Sequence, residues 1–201
     1  MIWYHGNAGN IADRLPNARW FVDNLGVSVV LVDYRGYGRN TGRPDEAGVY
    51  RDGLAIYDVV AARGVPARGI VLFGRSLGGA VATEVALQRP AGALVLEAAF
   101  RSAREMARVH YWFVPSALVR SGLDNESKIG RVSVPTLFLH GDRDRIVPLD
   151  HGRRLFELAA HPAHFHVVEG AGHNDTYLVG GELYAEVWRA FLRDTESGPP
   201  G

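Results

Sequence analysis

Ile70-Val71-Leu72-Phe73-Gly74-Arg75-Ser76-Leu77-Gly78-Gly79-Ala80-Val81-Ala82 decides how this chain folds. An apolar run of strand length stops at a serine flanked by glycine two residues to either side, and an Ala/Val-rich segment of helical character follows at once. A strand–serine–helix junction of this kind, a nucleophile elbow, holds the hydroxyl at the tip of a sharp turn. The serine backbone is strained there and survives only where its surroundings over-determine it. Gly74 and Gly78 lack the β-carbons that would collide where strand and helix pass close together. The helix starts at the serine, so its free N–H groups and the positive end of its dipole face any negative charge that develops beside the hydroxyl. Gly-x-Ser-x-Gly strings also occur as plain turns; the strand before and the helix after distinguish this one.

On either side of the junction, strand and helix signals alternate. Residues 1–4 form a short apolar strand that runs into His5-Gly6-Asn7-Ala8-Gly9-Asn10. A helical pattern follows with Ile11, Leu15, Ala18, Val22 and Leu25 on one face, limited by Pro16. Residues 27–33 are nearly all apolar, as expected of a strand covered by helices on both faces, and end in the loop Tyr34-Arg35-Gly36-Tyr37-Gly38. A helix is predicted over about 45–63, with Val49, Ile56, Tyr57 and Val60 inward. Beyond the junction, whose helix runs to Gln88, strands are predicted at 93–98, 135–140 and 164–168 and helices at 149–160 and 183–192. The polar tail 195–201 is expected to be flexible and to fray.

The pattern predicts an α/β domain over residues 1–194, with a mostly parallel sheet of about six strands and helices on both faces. Ligands of such sheets bind beyond the carboxyl ends of the strands, where the Gly-rich loops above all fall. One segment is irregular. Met106, Val109, Tyr111, Trp112, Phe113, Val114 and Pro115 make a dense apolar cluster that reads either as core packing of a crossover helix or as a short lid-like segment, about 101–134, lining a pocket.

Composition excludes several classes of function. A chain of 201 residues, 47% hydrophobic and 22% charged, is neither a disordered nor a membrane-spanning composition. With 22 basic and 22 acidic side chains, net charge gives no argument for nucleic acid or an anionic surface as partner. The absence of cysteine excludes disulfides, thiolate metal sites and a thiol nucleophile. No apolar run approaches the roughly 18 residues of a membrane span, and no signal peptide opens the chain. Met1-Ile2-Trp3-Tyr4 enters directly what reads as the end of a core strand, so an N-terminal portion, with any anchor it carries, is expected to precede it. A cytoplasmic location is the expectation for the chain as it stands.

A serine hydroxyl becomes a strong nucleophile when a base takes its proton and an acid fixes the tautomer of that base. The base is read as His173, in the loop Glu169-Gly170-Ala171-Gly172-His173-Asn174-Asp175 just after the last strand. Candidates for the acid are Asp142 and Asp144, in His140-Gly141-Asp142-Arg143-Asp144-Arg145-Ile146-Val147-Pro148, and Glu97. Asp144 stands further into the loop and is favoured; Glu97 reads as structural. Arg143 and Arg145 are expected to hold the loop by ion pairs, worth about 0–1 kcal/mol if exposed. The Leu77 N–H and the Asn7 N–H are the expected oxyanion donors. Phe100, Tyr34, Trp112 and Phe113 are expected to line the substrate pocket. The spacing carries no metal-ligand motif and no cofactor is required.

Taken together, His5-Gly6-Asn7-Ala8-Gly9-Asn10, Asp33-Tyr34-Arg35-Gly36-Tyr37-Gly38, Gly74-Arg75-Ser76-Leu77-Gly78-Gly79, the His140–Pro148 loop and Gly172-His173-Asn174-Asp175 resemble the α/β-hydrolase superfamily. Within it they are similar to the membrane-associated α/β-hydrolase-domain proteins, some of which are protein depalmitoylases. The resemblance implies Ser76 as nucleophile, Asp144 as acid, His173 as base and the loop from Asn7 as oxyanion contributor. It implies a strand pair ahead of Ile2, a local loop change at Asn40, where many members carry serine, and a fairly open site, because the long cap insertion after residues 93–98 is absent. The implied activity is cofactor-free hydrolysis of carboxylic esters or thioesters, through an acyl-enzyme, on a small-molecule or acylated substrate. Two alternatives stand beside it: a peptidase or amidase, although peptide-cleaving members usually carry a further domain for which this chain has no room, and a non-catalytic binding protein on a hydrolase fold.

Overall fold

The structure, a computed structural model, describes residues 1–110, 122–160 and 162–197. Its strands are β1 (Ile2–Tyr4), β2 (Val30–Val32), β3 (Val71–Arg75), β4 (Ala93–Glu97), β5 (Thr136–Gly141) and β6 (Ala163–Val168). All pair in parallel, in the order β2-β1-β3-β4-β5-β6. The helices are α1 (Leu15–Leu25), α2 (Glu46–Ala62), α3 (Leu77–Gln88), α4 (Ala103–His110), α5 (Leu149–Leu158) and α6 (Thr176–Ser197). Among the described residues no helix is long and apolar enough to cross a membrane.

The period-2 alternation of strand side chains builds two cores. Ile2, Tyr4, Leu72, Leu94, Leu96 and Phe138 point to one face, where Val49 and Tyr57 of α2, Val81 and Val85 of α3 and Leu155 of α5 cover them. Trp3, Phe73, Val95, Leu137 and Leu139 point to the other, against Phe21 of α1 and Tyr184, Trp188 and Phe191 of α6. That second core is aromatic and meets edge to face: Phe73 and Trp188 lie 5.2 Å apart at 87°. Such a pair contributes about 0.5–1.5 kcal/mol beyond its buried area.

Three elements differ from the sequence expectation. The strand expected at 27–33 is only Val30–Val32 and is half-buried along its length, because it is the edge of the described sheet and pairs with β1 alone. The face expected of the first helix is rotated: Leu15 and Val22 are exposed while Ala18 and Phe21 are buried. A 3₁₀ turn over Ile11–Arg14 precedes α1, and at three residues per turn it breaks the phase that would carry Ile11 onto the face of α1. The last helix starts at Thr176, not 183, and leaves helical geometry at Gly181, with φ 50° and ψ −128°. A Gly180-Gly181 pair reads in sequence as the end of a helix; here it joins two helical pieces. Residues 195–197 of the tail continue α6, and 198–201 lie outside the described residues.

The chain leaves β1 for β2 on one side and later for β3 on the other, so the loops after β1 and β3 open beside each other at the carboxyl edge. Ser76 and the loop that starts at His5 therefore meet by topology.

Candidate active site

Ser76 sits between β3 and α3 with φ 52° and ψ −118°, a conformation that costs about 1–3 kcal/mol and persists only under close packing. The packing is visible on each side. Ser76 N–H donates to the Glu97 carbonyl at 2.9 Å, and Gly79 N–H donates to the Ser76 carbonyl at 2.9 Å. A β-carbon on Gly74 would stand 2.5 Å from the Gly78 carbonyl oxygen and 2.7 Å from Ala82 Cβ. One on Gly78 would overlap the Tyr4 carbonyl of β1, which places the start of α3 directly on the neighbouring strand. Since backbone and not a side chain is struck, Gly78→Ala is expected to destabilise the protein by more than about 3 kcal/mol. Thermal unfolding measures this, and an unchanged Tm contradicts the packing described.

The loop after β1 presses on the serine: a β-carbon at Gly6 would lie 3.3 Å from Ser76 Cβ. Its conformation is fixed from below and from its far end. His5, fully buried, donates from Nδ1 to the Gly6 carbonyl at 2.7 Å, and burial pushes its pKa down. Arg14 Nη2 donates to the Ala8 carbonyl at 2.7 Å, and Asn10 N–H donates to Asp13 Oδ2 at 2.9 Å. The Asn7 side chain accepts from the Tyr37 hydroxyl at 2.6 Å. Among the described residues no hydrogen bond engages the backbone N–H of Asn7 or of Leu77, the first residue of α3. Asn40, where a loop change is expected, donates from Nδ2 to the Asp33 carbonyl at 2.5 Å and closes the loop after β2.

His173 donates from Nδ1 to Asp144 Oδ2 at 2.7 Å; a carboxylate only accepts, so the proton is on Nδ1 and Nε2 carries the free lone pair. The Asp144 side chain is fully buried. Its Oδ1 accepts the Ile146 and Val147 N–H groups, each at 2.8 Å. His140 Nε2 donates to the Val147 carbonyl at 2.8 Å and lies 3.5 Å from Asp144 Oδ2. Burial pulls the Asp144 pKa upward, but the hydrogen bonds from His140 and His173, the charge of His173 and the Val147 N–H outweigh it and hold the carboxyl well below the usual range. Arg143 and Arg145 are exposed and form no ion pair among the described residues. The loop is held instead by backbone donors, which a buried carboxylate attracts more strongly than exposed guanidinium groups can.

The other acid candidates have different partners. Asp142 is exposed and its Oδ1 accepts Gly170 N–H at 2.6 Å. Glu97 is 2% exposed and faces Arg75, whose Nε is 3.1 Å from Glu97 Oε1.

Two cavities open at Ser76. One, of about 290 Å³, is lined by Gly6, Asn7, Arg14, Arg75, Ser76 and His173 among others. The other, of about 810 Å³, is mostly apolar: Leu77, Phe100, Ala103, Met106, Ala107 and Ile146 line it together with Ser76, Asn7 and His110. His110 Nε2 at the end of α4 donates to the Ile146 carbonyl at 2.6 Å and ties α4 to the Asp144 loop. Of the residues expected in the pocket, Phe100 lines the larger cavity. Tyr34 does not: it is fully buried beneath the first loop, its hydroxyl donates to the His5 carbonyl at 3.1 Å and its ring stands 4.7 Å from that of His5. A tyrosine next to a strand end turns inward when a buried carbonyl can take its hydroxyl. Trp112 and Phe113 lie outside the described residues. The segment 101–134 divides between the two readings. Ala103, Met106 and Ala107 of α4 line the cavity, while Leu123, Ile129 and Val132 are core and the Gly122 and Leu123 N–H groups donate to Glu46. Met106 belongs to the apolar cluster that reads in sequence as core or pocket lining, and it lines the cavity; Ala107 and Ile146 were not singled out by sequence, because nothing local marks which face of a short helix or which loop tip turns toward a distant serine.

Among the described residues no group of three or more His, Asp or Glu side chains is arranged to hold a metal ion.

Comparison with known proteins gives a consistent picture. The profile of the family described as serine aminopeptidase, S33, matches residues 2–129. An uncharacterized protein of Mycobacterium tuberculosis is 43% identical over 194 residues, covering 93% of this chain and 68% of the relative. Lysophosphatidylserine lipase ABHD12 of Macaca fascicularis is 33% identical over 180 residues, which are 80% of this chain and 45% of that protein. Among solved structures, the monoacylglycerol lipase of Paleococcus ferrophilus superposes with a TM-score of 0.71 at 18% identity, covering 96% of this chain and 93% of that one, a likeness of fold.

Proposed function

Because this chain belongs to the α/β-hydrolases, in the family described as serine aminopeptidase S33, and is a hydrolase by that membership, we propose that it is a serine hydrolase cleaving carboxylic esters or thioesters through an acyl-enzyme. The observation that carries the proposal is the His173 Nδ1 to Asp144 Oδ2 hydrogen bond of 2.7 Å, made by a histidine that shares a cavity with the strained Ser76.

In the proposed cycle Ser76 Oγ attacks the substrate carbonyl carbon as His173 Nε2 takes the hydroxyl proton. The buried Asp144 carboxylate keeps Nδ1 protonated and stabilises the imidazolium that forms. The tetrahedral oxyanion is received by the Asn7 N–H in the loop after β1 and the Leu77 N–H at the start of α3, an arrangement in which each donor is worth about 3–4 kcal/mol to the transition state. Collapse breaks the bond to the alcohol or thiol, which leaves with the proton from Nε2. Water then enters, gives a proton to the same nitrogen and attacks the acyl carbonyl; the bond to Ser76 Oγ breaks, Oγ takes the proton back from Nε2, and the acid is released.

The larger cavity supports an apolar acyl group, since Leu77, Phe100, Met106 and Ile146 offer it no charge. The ABHD12 relative, a lysophosphatidylserine lipase of which this chain spans 45%, points the same way.

The family description favours a second reading, an aminopeptidase. Recognition of a peptide ammonium group needs an anion beside the nucleophile. Neither cavity that holds Ser76 has a carboxylate in its lining, and residues 111–121 contain none in sequence, so the ester reading is preferred.

Fluorophosphonate labelling and a p-nitrophenyl ester series test it. One label per chain at Ser76 is expected. Each methylene buried contributes up to about 0.8 kcal/mol, so octanoate is expected to exceed acetate in kcat/KM by about tenfold or more. Folded protein that takes no label, or that turns over aminoacyl amides faster than esters, rules the ester reading out.

A further inference from the structure

Arg75, the residue before Ser76, is a charged side chain that the proposed cycle does not consume, and it lies 5% exposed inside the fold. A buried guanidinium persists only when it is paired and hydrogen-bonded. Arg75 and Glu97 are direct partners in the β3–β4 register, with Nε 3.1 Å from Oε1. The other carboxylate oxygen, Oε2, accepts the hydroxyl of Tyr184 from α6. Burial and the charge of Glu97 push that tyrosine's pKa well up, which keeps it a donor. Held in this way, the guanidinium turns its remaining edge to the base loop: Nη2 donates to the His173 carbonyl and lies 3.3 Å from Asn174 Oδ1.

That contact differs in kind from the others in the loop. Asp142 accepts Gly170 N–H, Asp175 accepts Gly172 N–H at 2.7 Å, and Arg143 N–H donates to the Ala171 carbonyl at 2.9 Å. All three hold residues before the histidine. Among the described residues, Arg75 makes the only hydrogen bond to the His173 backbone.

We propose that Arg75 is a positioning residue of the Ser76 site: anchored on Glu97, it holds the His173 main chain and thereby sets the distance between the imidazole and the serine. The inference rests on the serine-hydrolase reading above. Nucleophile and base are joined through one residue, because Arg75 is covalently next to Ser76 and hydrogen-bonded to His173. Lysine does not replace it fully, since one ammonium cannot span Glu97 and the loop carbonyl as a planar fork does.

The test is the double variant Arg75→Met/Glu97→Gln, which removes the ion pair as a unit and leaves no lone buried charge. Two readouts are used: kcat and KM on p-nitrophenyl octanoate, and the low-field proton NMR resonance of the His173 Nδ1–H. A base displaced by about 1 Å costs on the order of 100-fold, so kcat is expected to fall by about 30- to 100-fold with KM within about twofold, and the resonance to broaden. Arg75→Lys is expected to restore part of kcat. A folded double variant with kcat within about twofold of the parent and a sharp resonance overturns the proposal, because a 1 Å displacement would show in both. Should the double variant not fold, Arg75→Lys is read on the same scales, and parental values in both overturn it. If the parent protein itself neither labels nor turns over esters, the functional reading fails, and the resonance comparison still decides whether Arg75 places His173.

Discussion

Ser76→Ala is expected to lower kcat on an activated ester by about 10⁴- to 10⁶-fold and to abolish fluorophosphonate labelling, while KM and Tm stay close to those of the parent. The stability expectation follows from the backbone. Ser76 is held at φ 52° by bonds from its main-chain N–H and to its carbonyl, and alanine carries the same β-carbon and the same strain. Only the hydroxyl is lost. What turnover remains comes from the oxyanion donors and from binding, about 10³- to 10⁴-fold over water in comparable triads. A folded Ser76→Ala protein that still turns over the ester at parental rate removes the serine from the chemistry.

Asp144→Asn is the second large effect, with kcat expected to fall by about 10⁴-fold. The surroundings dictate how the amide sits. Oδ1 of residue 144 accepts two backbone N–H groups, from Ile146 and Val147, so the amide oxygen keeps that place and the NH₂ is turned to His173. An NH₂ group donates, which forces His173 Nδ1 to accept and moves the ring proton to Nε2. The imidazole then faces Ser76 with its proton and cannot act as a base. The same substitution changes acid stability. The Asp144 pKa is depressed in the fold from an unfolded value of about 3.9, so the unfolded chain binds more protons in the window between the two values. The stability tied to the ionised carboxylate is therefore full above about pH 4 and is lost as pH falls through the folded-state pKa. Tm measured against pH is expected to fall more steeply below about pH 4 in the parent than in Asp144→Asn. Equal slopes would mean that the carboxylate is not specially stabilised by its neighbours.

The sequence was most legible where one residue type answers a steric demand that is local. Gly74 and Gly78 were readable because the close approach they permit happens within a few residues of Ser76 or at the adjacent strand end. Ser76, Asp144 and His173 each stand in a loop after a strand, and the parallel order of strands brings those loops to one edge. Residues whose role depends on what packs above them were not readable in this way. Tyr34 has the same composition signal as a pocket aromatic, yet it is buried because the His5 carbonyl lies within reach of its hydroxyl. Arg143 and Arg145 flank Asp144 in sequence but are exposed, whereas Arg75, which has no local mark, reaches a residue 98 positions away.

Sequence by itself determined the α/β class, the alternation of strands and helices, the strained serine junction and the three loops that carry Ser76, Asp144 and His173, since periodicity and turn chemistry are properties of neighbouring residues. Only the tertiary structure decided which carboxylate meets His173 Nδ1, that Phe100 and not Tyr34 borders the cavity, where the amphipathic face of α1 lies, and that Arg75 spans Glu97 and the His173 loop. Those outcomes depend on how the loops after β1, β2, β3, β5 and β6 and the helices beside them meet in space. Side chains far apart in the chain settle there by competition for a few buried hydrogen-bond partners, and a linear pattern does not encode that competition.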